Sequence, residues 1–275
     1  MDAVLYRVGN LFPIIHSTVF TIGFCSNVAL LLATFCKTPR TLQTYSIMIK
    51  FGTVNDLICV CCDFFTMQRM LVVPGNLLYL SAGPCSAISA RACYLAYCMQ
   101  LTTLVYSYYV MLASFAYRLF ILHYESPKNS KVLIIMISAC VPPIITGFAF
   151  TFAQADIEIV GNFLKNNAPK YLQEPGALSG HEGMTPQLIF TILFVIGTPG
   201  PVYAGVIVIR QKVLKKLKEF SNDMSVRTKR MHNNFVKALT IHALLPPVTI
   251  IGVALYLVLF FNLYYHATLE KAIYT

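Results

Sequence analysis

Six long apolar runs constrain this chain more than any other feature of its sequence. A helix that crosses the hydrocarbon core of a bilayer needs roughly 20 mostly apolar residues. Of the 275 residues, 57% are hydrophobic and only 12% are charged. We therefore predict an all-α fold, a polytopic membrane helix bundle that forms a single membrane domain over residues 1–275. The predicted helices span Leu11–Phe35, Tyr45–Met67, Ala87–Leu122, Val132–Phe152, Gln187–Ile209 and Phe235–Phe261.

Basic residues are concentrated in alternate connections between these helices. The loop Ala153–Pro186 holds four acidic residues and two lysines. Cytoplasmic loops retain Lys and Arg, so we predict an amino terminus outside the cell and, after six spans, a carboxyl-terminal segment Asn262–Thr275 outside as well. The net charge of +10 then predicts contact with anionic membrane lipid and none with nucleic acid. The connection between helices five and six holds Arg210, Lys212, Lys215, Lys216, Lys218, Arg227, Lys229 and Arg230.

Two carboxylates lie within the second apolar run. Asp56 and Asp63 are seven residues apart, so they stack on one face of a helix about two turns apart. A carboxylate at membrane depth is costly, and we expect these side chains to face the bundle. Asp56 is then a polar switch or cation site, or else part of an interior packing network. For Asp63, contact with lipid headgroups is the further alternative.

Helical spacing on the third run predicts one continuous stripe of side chains. Tyr97, Gln100, Leu101, Leu104 and Tyr108 recur on the same face, and the stripe begins in the outer half of the helix. Such a stripe is usually core packing. Because the interiors of helix bundles also hold small-molecule sites, Tyr97, Gln100, Leu101 and Leu104 are our candidate ligand-binding residues.

Paired prolines interrupt three of the runs near their middles. Each proline removes an intrahelical hydrogen bond and allows a kink, so these positions are hinge candidates. Broken helices occur in transporters too, and proline alone does not separate a receptor from a transporter. The pairs are Pro142-Pro143, Pro199 with Pro201, and Pro246-Pro247.

The sequence holds no constellation typical of catalysis. His16, His242 and Lys237 are isolated polar residues without the spacing of a metal site or a companion nucleophile. There is also no Gly-rich phosphate loop and no zinc-ligand spacing. We therefore predict that the chain is no enzyme and that it binds neither a cofactor nor a metal ion.

Four short motifs occur in order along the predicted helices. They are Asn55-Asp56-Leu57, Gly83-Pro84-Cys85, Ser114-Phe115-Ala116-Tyr117-Arg118 and Lys237-Ala238-Leu239-Thr240-Ile241-His242-Ala243-Leu244-Leu245-Pro246. In these motifs the chain resembles the nematode serpentine chemoreceptors, most closely the class delta (Srd) family. The resemblance implies a chemosensory G-protein-coupled receptor that binds a small molecule in a seven-helix bundle. It also implies a heterotrimeric G protein as the partner on the cytoplasmic face.

The resemblance implies roles for several residues of the third helix and its surroundings. Arg118 would face the G protein or hold the inactive state, and Tyr117 stands where such receptors carry an acidic residue, so an ionic lock from that neighbour is not expected. With Asp56 and Pro246 they form the predicted switch residues. Cys85 matches a cysteine that usually pairs with the second outer loop, but that loop has no cysteine. Cys85 is therefore free, or it is paired with another cysteine near the outer face.

The seventh helix that the resemblance implies is expected to be absent from this sequence. The segment Asn262–Thr275 is too short and too polar to span a bilayer. A truncated receptor form that does not signal is therefore one alternative to a functional receptor. A membrane transporter or channel is the other, although matching breaks in two halves of the chain are not evident.

Overall fold

The computed structural model describes residues 2–36, 38, 43–73, 76–167, 169–173, 175–219, 237 and 251. Lys237 and Ile251 are helical; the rest of the predicted sixth helix, including Pro246, and the segment Asn262–Thr275 lie outside the described residues. The elements in chain order are α1 (Asp2–Cys36), α2 (Gln43–Thr66), β1 (Gln68–Val73), β2 (Asn76–Ser81), α3 (Ala90–Ile121), α4 (Asn129–Thr151), α5 (Ile157–Asn167), β3 (Ala177–Gly180), α6 (Pro186–Gly197) and α7 (Pro199–Glu219).

Long apolar helices dominate the described part of the chain, as predicted. Four helical stretches there are long and apolar enough to cross a membrane. Helix α2, which contains Lys50, Asp56 and Asp63, is not among them. It nevertheless packs along both α1 and α3, so it belongs to the same bundle. The four stretches are Phe12–Cys36, Ala90–Ile121, Asn129–Thr151 and Pro186–Lys216.

The prolines act differently in the two runs where the structure describes them. Helix α4 continues through Pro142 and Pro143, so these prolines do not end the helix. The Thr146 hydroxyl donates to the Pro142 carbonyl at 3.0 Å, the kind of side-chain bond by which membrane helices satisfy backbone groups near a proline. In the fifth run the interruption is confirmed, because α6 ends at Gly197 and α7 begins at Pro199.

A three-stranded antiparallel sheet covers one end of the bundle, and the sequence analysis did not predict it. Strands β1 and β2 form a hairpin between α2 and α3 in which Gln68 lies opposite Ser81. Strand β3, from the connection between α4 and α6, pairs with β2 so that Leu78 lies opposite Gly180. We call this end of the bundle, where α2 ends and α3 begins, the sheet end.

Alternation along β2 explains why this sheet is buried on both faces. Successive side chains of a strand point to opposite faces. Leu78 and Leu80 pack with Val160 and Leu164 of the amphipathic helix α5, whereas Leu77 and Tyr79 pack with a cluster from the helix bundle. The sheet is therefore a layer between α5 and the bundle. The bundle side of that cluster consists of Tyr94, Tyr97, Cys98, Phe150, Ala153 and Leu188.

The opposite end of the bundle, where α3 and α7 end, carries the lysines of α7, and we call it the basic end. Toward this end, Tyr108, Met111 and Phe115 of α3 pack against Val202 and Val206 of α7. A second cluster joins α3 to α2 and α4 through Met48, Tyr106, Val110, Val132 and Met136. Helix α3 is thus the central element to which α2, α4 and α7 all pack.

Candidate functional site

Asp63 joins three helices near the sheet end. Its Oδ2 lies 2.9 Å from Nδ1 of His16 on α1, and its Oδ1 accepts a hydrogen bond of 2.9 Å from Nε2 of Gln100 on α3. The Asp63 side chain is 28% exposed. The prediction that His16 is isolated is therefore wrong, because His16 is the partner of a carboxylate on the neighbouring helix. Asp63 faces the bundle, as its membrane cost predicted.

A second polar cluster joins α2 to α3 near the middle of the bundle. The Asn55 amide donates to the Thr103 carbonyl at 3.0 Å and to the Ser107 hydroxyl at 2.8 Å. The Ser107 hydroxyl lies 3.2 Å from Oδ1 of Asp56. Asn55 is buried, and Asp56 also faces α3. The arrangement is the interior network that the sequence analysis held open for Asp56.

Two of the predicted switch residues, Tyr117 and Arg118, form a compact group with Tyr45 at the basic end, and we call this group the tyrosine–arginine cluster. Arg118 is only 9% exposed, and its Nη2 donates to the Tyr45 hydroxyl at 2.8 Å. The Tyr117 ring stacks on Tyr45 with 5.7 Å between centroids. The Tyr117 hydroxyl lies 3.1 Å from the Ser126 hydroxyl. A tyrosine of α2 thus contacts Arg118 and the residue that precedes it.

Tyr45 is a site residue that the sequence analysis missed. It lies in the first turn of α2, where a tyrosine is typical of the membrane interface and does not by itself indicate a functional site. Only the packing of α2 against the end of α3 makes it a partner of Arg118. The aromatic character of Tyr45 and Tyr117 was the one signal that the sequence offered.

A groove of about 580 Å³ lies beside the end of α3 at the basic end. Phe120 and His123 line it from α3 and the residues that follow, and Lys212, Lys215 and Lys216 line it from α7. Lys216 is paired with Glu219 at 3.2 Å. The groove therefore combines an apolar wall with a cationic rim, a combination that suits a protein surface carrying acidic residues.

His181 lies in an aromatic enclosure under the sheet. It is 1% exposed, its Nδ1 lies 2.6 Å from the Ala153 carbonyl oxygen, and its ring centroid lies 4.9 Å from that of Phe150. The Tyr79 and Tyr94 rings meet it edge-on. Burial lowers the pKa of His181 from 6.5 to about 4, against the opposing effect of the Ala153 hydrogen bond. The imidazole is therefore neutral at physiological pH.

Comparison with known proteins decides the family. The family model described as "Serpentine type 7TM GPCR chemoreceptor Srd" matches residues 12–275. The chain belongs to this family. Among its relatives in Caenorhabditis elegans, serpentine receptor class delta-18 is 29% identical over 96% of this chain and 80% of its own length. Serpentine receptor class delta-19 is 28% identical over 89% of this chain and 74% of its own length. Serpentine receptor class delta-3 is 25% identical, over 93% and 77%.

Membership confirms the resemblance drawn from the four motifs. The Srd family is a receptor family, so this chain is a multi-pass membrane protein of the serpentine chemoreceptor type. Its apolar helices agree with that description. In the described part of the chain, no three His, Cys, Asp or Glu side chains are grouped as metal ligands.

One expected departure of this Srd chain takes a definite form in the structure. Cys85, in a 3₁₀ turn just before α3, forms a disulfide with Cys93 in the first turn of α3. Of the two alternatives left open by the sequence, pairing with another cysteine is therefore the correct one. The disulfide links the 3₁₀ turn to the helix that follows it and does not link α3 to the loop Ala153–Pro186.

The predicted ligand stripe of the Srd chain has mixed surroundings. Tyr97 is buried, with its ring centroid 5.0 Å from that of Tyr79, and Leu101 packs against the same cluster. Gln100 bonds to Asp63, and Leu104 is partly buried. The stripe therefore runs from the sheet past the Asp63 network toward the middle of the bundle. Its role in ligand binding stays a prediction.

Proposed function

We propose that this chain is a chemosensory G-protein-coupled receptor that acts as one membrane domain over residues 1–275. It binds a small molecule inside the helix bundle and couples to a heterotrimeric G protein. The observation that carries this proposal is the buried Arg118, which Tyr45 holds at the end of the central helix. The basic groove, which suits an acidic partner, lies at the same end of the bundle.

In the proposed orientation the sheet end is extracellular and the basic end is cytoplasmic. Lys212, Lys215 and Lys216 line the groove at the basic end, and basic residues of this kind are retained on the cytoplasmic side. The sheet then lies on the side from which a dissolved ligand arrives. The amino terminus is outside the cell in the same orientation.

The proposed ligand site is the face of α3 that carries Tyr97, Gln100, Leu101 and Leu104. Gln100 is its most informative member because it already donates to Asp63, which also contacts His16. A ligand that hydrogen-bonds to Gln100 competes with this contact and thereby changes how α1, α2 and α3 are held together. Such a ligand is small and mostly apolar, with one polar group.

Signalling in this proposal depends on Arg118. In the structure its guanidinium is held by Tyr45 and is nearly buried. Movement of α3 relative to α2 releases the guanidinium from Tyr45 at the basic end, where it contacts the G protein. This is a switch between two discrete sets of contacts, the kind of element on which receptor activation depends.

The test is basal nucleotide exchange by purified heterotrimers that contain each of the main Gα classes. The full chain is reconstituted in phospholipid nanodiscs, and GTPγS binding is followed with and without receptor. We expect exchange above that of empty nanodiscs for at least one class, and Arg118→Ala is expected to abolish it. Arg91→Ala is the matched control, since Arg91 bonds to Gln154 at the sheet end.

Each other outcome has a definite meaning. No stimulation by the folded chain for any Gα class would contradict the proposal and favour the receptor form that does not signal. Stimulation that survives Arg118→Ala would remove Arg118 from the switch. Equal loss in both arginine variants would show that the effect is not specific to the basic end.

A further inference from the structure

A cavity of about 450 Å³ opens on the side of the bundle between α2, α3 and α4. Its volume lies in the range of small-molecule sites. Val54 and Ile58 line it from α2, Met99 from α3, and Pro143 and Ile144 from α4. Apart from one lysine, its lining is uncharged.

This cavity is separate from the proposed ligand stripe. On α3 it is lined by Met99, Thr102, Thr103 and Tyr106, and none of the four stripe residues is part of its lining. With 3.6 residues in each turn, Met99 and Tyr106 point away from the face that carries Gln100 and Leu104. A ligand in the cavity therefore occupies a different place from one at the stripe.

The mouth of the cavity faces the hydrocarbon of the bilayer. Its apolar rim is well exposed at the side of the bundle, with Met99 at 50% and Ile144 at 56%. The side of a membrane helix meets lipid tails and not water. An occupant therefore enters from the bilayer and must be largely apolar.

The polar side chains of the wall are already committed to bonds within the protein. Asn55 donates to the Thr103 carbonyl and to Ser107, the Thr102 hydroxyl donates to the Cys98 carbonyl, and the Tyr106 hydroxyl donates to the Met136 carbonyl. These groups offer little to a ligand. Specific recognition by the wall therefore depends on the lysine.

That lysine is Lys50, seven residues beyond the first residue of α2 and therefore about 10 Å into the helix. Its Nζ lies 4.2 Å from the centroid of the Phe35 ring. Within the part of the chain that the structure describes, no carboxylate oxygen comes within 4.0 Å of this nitrogen. A cation at membrane depth is costly unless it is paired or reaches the interface, so an anionic group in the cavity complements it.

We propose that this cavity binds one medium-chain fatty acid, with its carboxylate at Lys50 and its chain directed toward Ile58. Lys50 and Ile58 are eight residues apart on α2, which corresponds to about 12 Å. That distance suits a single acyl chain of medium length. The cavity then holds a second ligand site that draws amphiphiles from the membrane and stabilises the contact of α2 with α3 and α4.

A photoreactive fatty acid gives a direct readout. The purified full chain in phosphatidylcholine nanodiscs is irradiated with a decanoic acid that carries a diazirine in its chain, and the labelled residues are identified by peptide mass spectrometry. Labels are expected on the cavity lining, for example at Met99, Cys140 and Ile144. Excess decanoate is expected to protect these residues, and decan-1-ol of equal chain length is expected to protect far less. Non-specific labelling near Cys25 and Cys61, which are exposed on α1 and α2, serves as the internal control.

The variant that tests the carboxylate contact is Lys50→Gln. Loss of one charge-assisted hydrogen bond raises the decanoate concentration for half-protection about tenfold. Lys131→Gln is the matched control, since it removes the same charge from an exposed position at the start of α4 outside the cavity lining. An unchanged unfolding midpoint in the same nanodiscs shows that both variants are folded.

Three results would overturn the proposal. Equal protection by decan-1-ol would remove the need for a carboxylate, and undiminished protection in Lys50→Gln would remove the lysine. Labelling of the cavity in detergent but not in phospholipid nanodiscs would assign the cavity to a phospholipid tail. None of these readouts requires G-protein coupling, so the cavity and the proposed receptor function stand or fall separately.

Discussion

A disulfide bond and the backbone hydrogen bonds of a sheet hold the sheet end of the bundle together, whereas side-chain contacts join the helices at the basic end. At the sheet end the strands β1, β2 and β3 form a continuous ladder, and a disulfide links Cys85 to Cys93. At the basic end α2 meets α3 through Tyr45 and Arg118. It meets α4 through a hydrogen bond of 2.8 Å from Thr44 to Asn129.

This difference indicates where the bundle can change shape. Moving the sheet requires several backbone hydrogen bonds to break together, and the released groups would be buried without partners. A side-chain contact at the basic end is worth about 1 kcal/mol net and can be exchanged for another. We therefore expect the sheet end to stay fixed while the helices rearrange at the basic end.

The largest expected effect is that of a methyl group added at the sheet end. A Cβ on Gly83 would lie 2.7 Å from the carbonyl carbon of Thr66 and even closer to the carbonyl oxygen of Phe65. Backbone atoms cannot move aside as a side chain does. Gly83→Ala is therefore expected to lower the free energy of unfolding by about 2–3 kcal/mol in nanodisc unfolding experiments.

Gly161→Ala is the matched control for that substitution. Gly161 lies in α5, and a Cβ built there meets no heavy atom within 4 Å. Alanine in a helix is more stable than glycine, so a gain of about 0.5–1 kcal/mol is expected. A similar loss in both variants would contradict a tightly packed sheet end.

Acid is expected to weaken the sheet end selectively. Because burial lowers the pKa of His181 to about 4, the neutral imidazole contributes stability that is complete above about pH 6.5. That contribution is lost as the pH falls toward 4. We expect unfolding to become easier by about 1–2 kcal/mol between pH 7 and pH 5.

His181→Phe is expected to remove that part of the pH dependence, because phenylalanine keeps the aromatic packing and does not titrate. His123→Phe, at an exposed position near the end of α3, is the control and should keep it. Amide hydrogen exchange across β2 and β3 measures the effect where it arises. A pH dependence that persists in His181→Phe would assign the sensitivity to another group.

The two ends also differ in how far the sequence predicts them. The long helices are predicted by apolar runs of the length that a membrane-spanning helix requires. Strands β1 and β2 are six residues each, and apolar runs of that length do not distinguish a strand from the end of a helix. The dipeptide Pro74-Gly75, which stands between them in the sequence, is a turn signal. Strand β3 forms by pairing with β2, from which it is separated by about a hundred residues of sequence. A local sequence pattern therefore does not predict it.

The same limit applies to the candidate site. Spacing along α2 placed Asp56 and Asp63 on one face, and the structure confirms that both face α3. Spacing along one helix could not predict the partners of Asp56 and Asp63. Ser107 and His16 lie on other helices, and their contact with the carboxylates depends on how those helices are aligned with α2. Arg118 was recognised from its motif, whereas Tyr45, its partner, is 73 residues away in sequence.

The smallest expected effect on stability concerns the basic end, and it is the sharpest test of its proposed role. Tyr45→Phe removes the hydroxyl that accepts the Arg118 bond and keeps the ring that stacks on Tyr117. If this bond holds Arg118 away from the G protein, its loss favours the active state by about 1 kcal/mol, or about fivefold in basal GTPγS exchange. Hydrogen exchange at the sheet end should not change.

Tyr124→Phe is the control, since Tyr124 is 67% exposed near the basic end. Reduced GTPγS exchange in Tyr45→Phe would instead mean that Tyr45 holds Arg118 in its signalling position. Faster hydrogen exchange in β2 would mean that the two ends are coupled, and the contrast between a fixed end and a movable one would then fail.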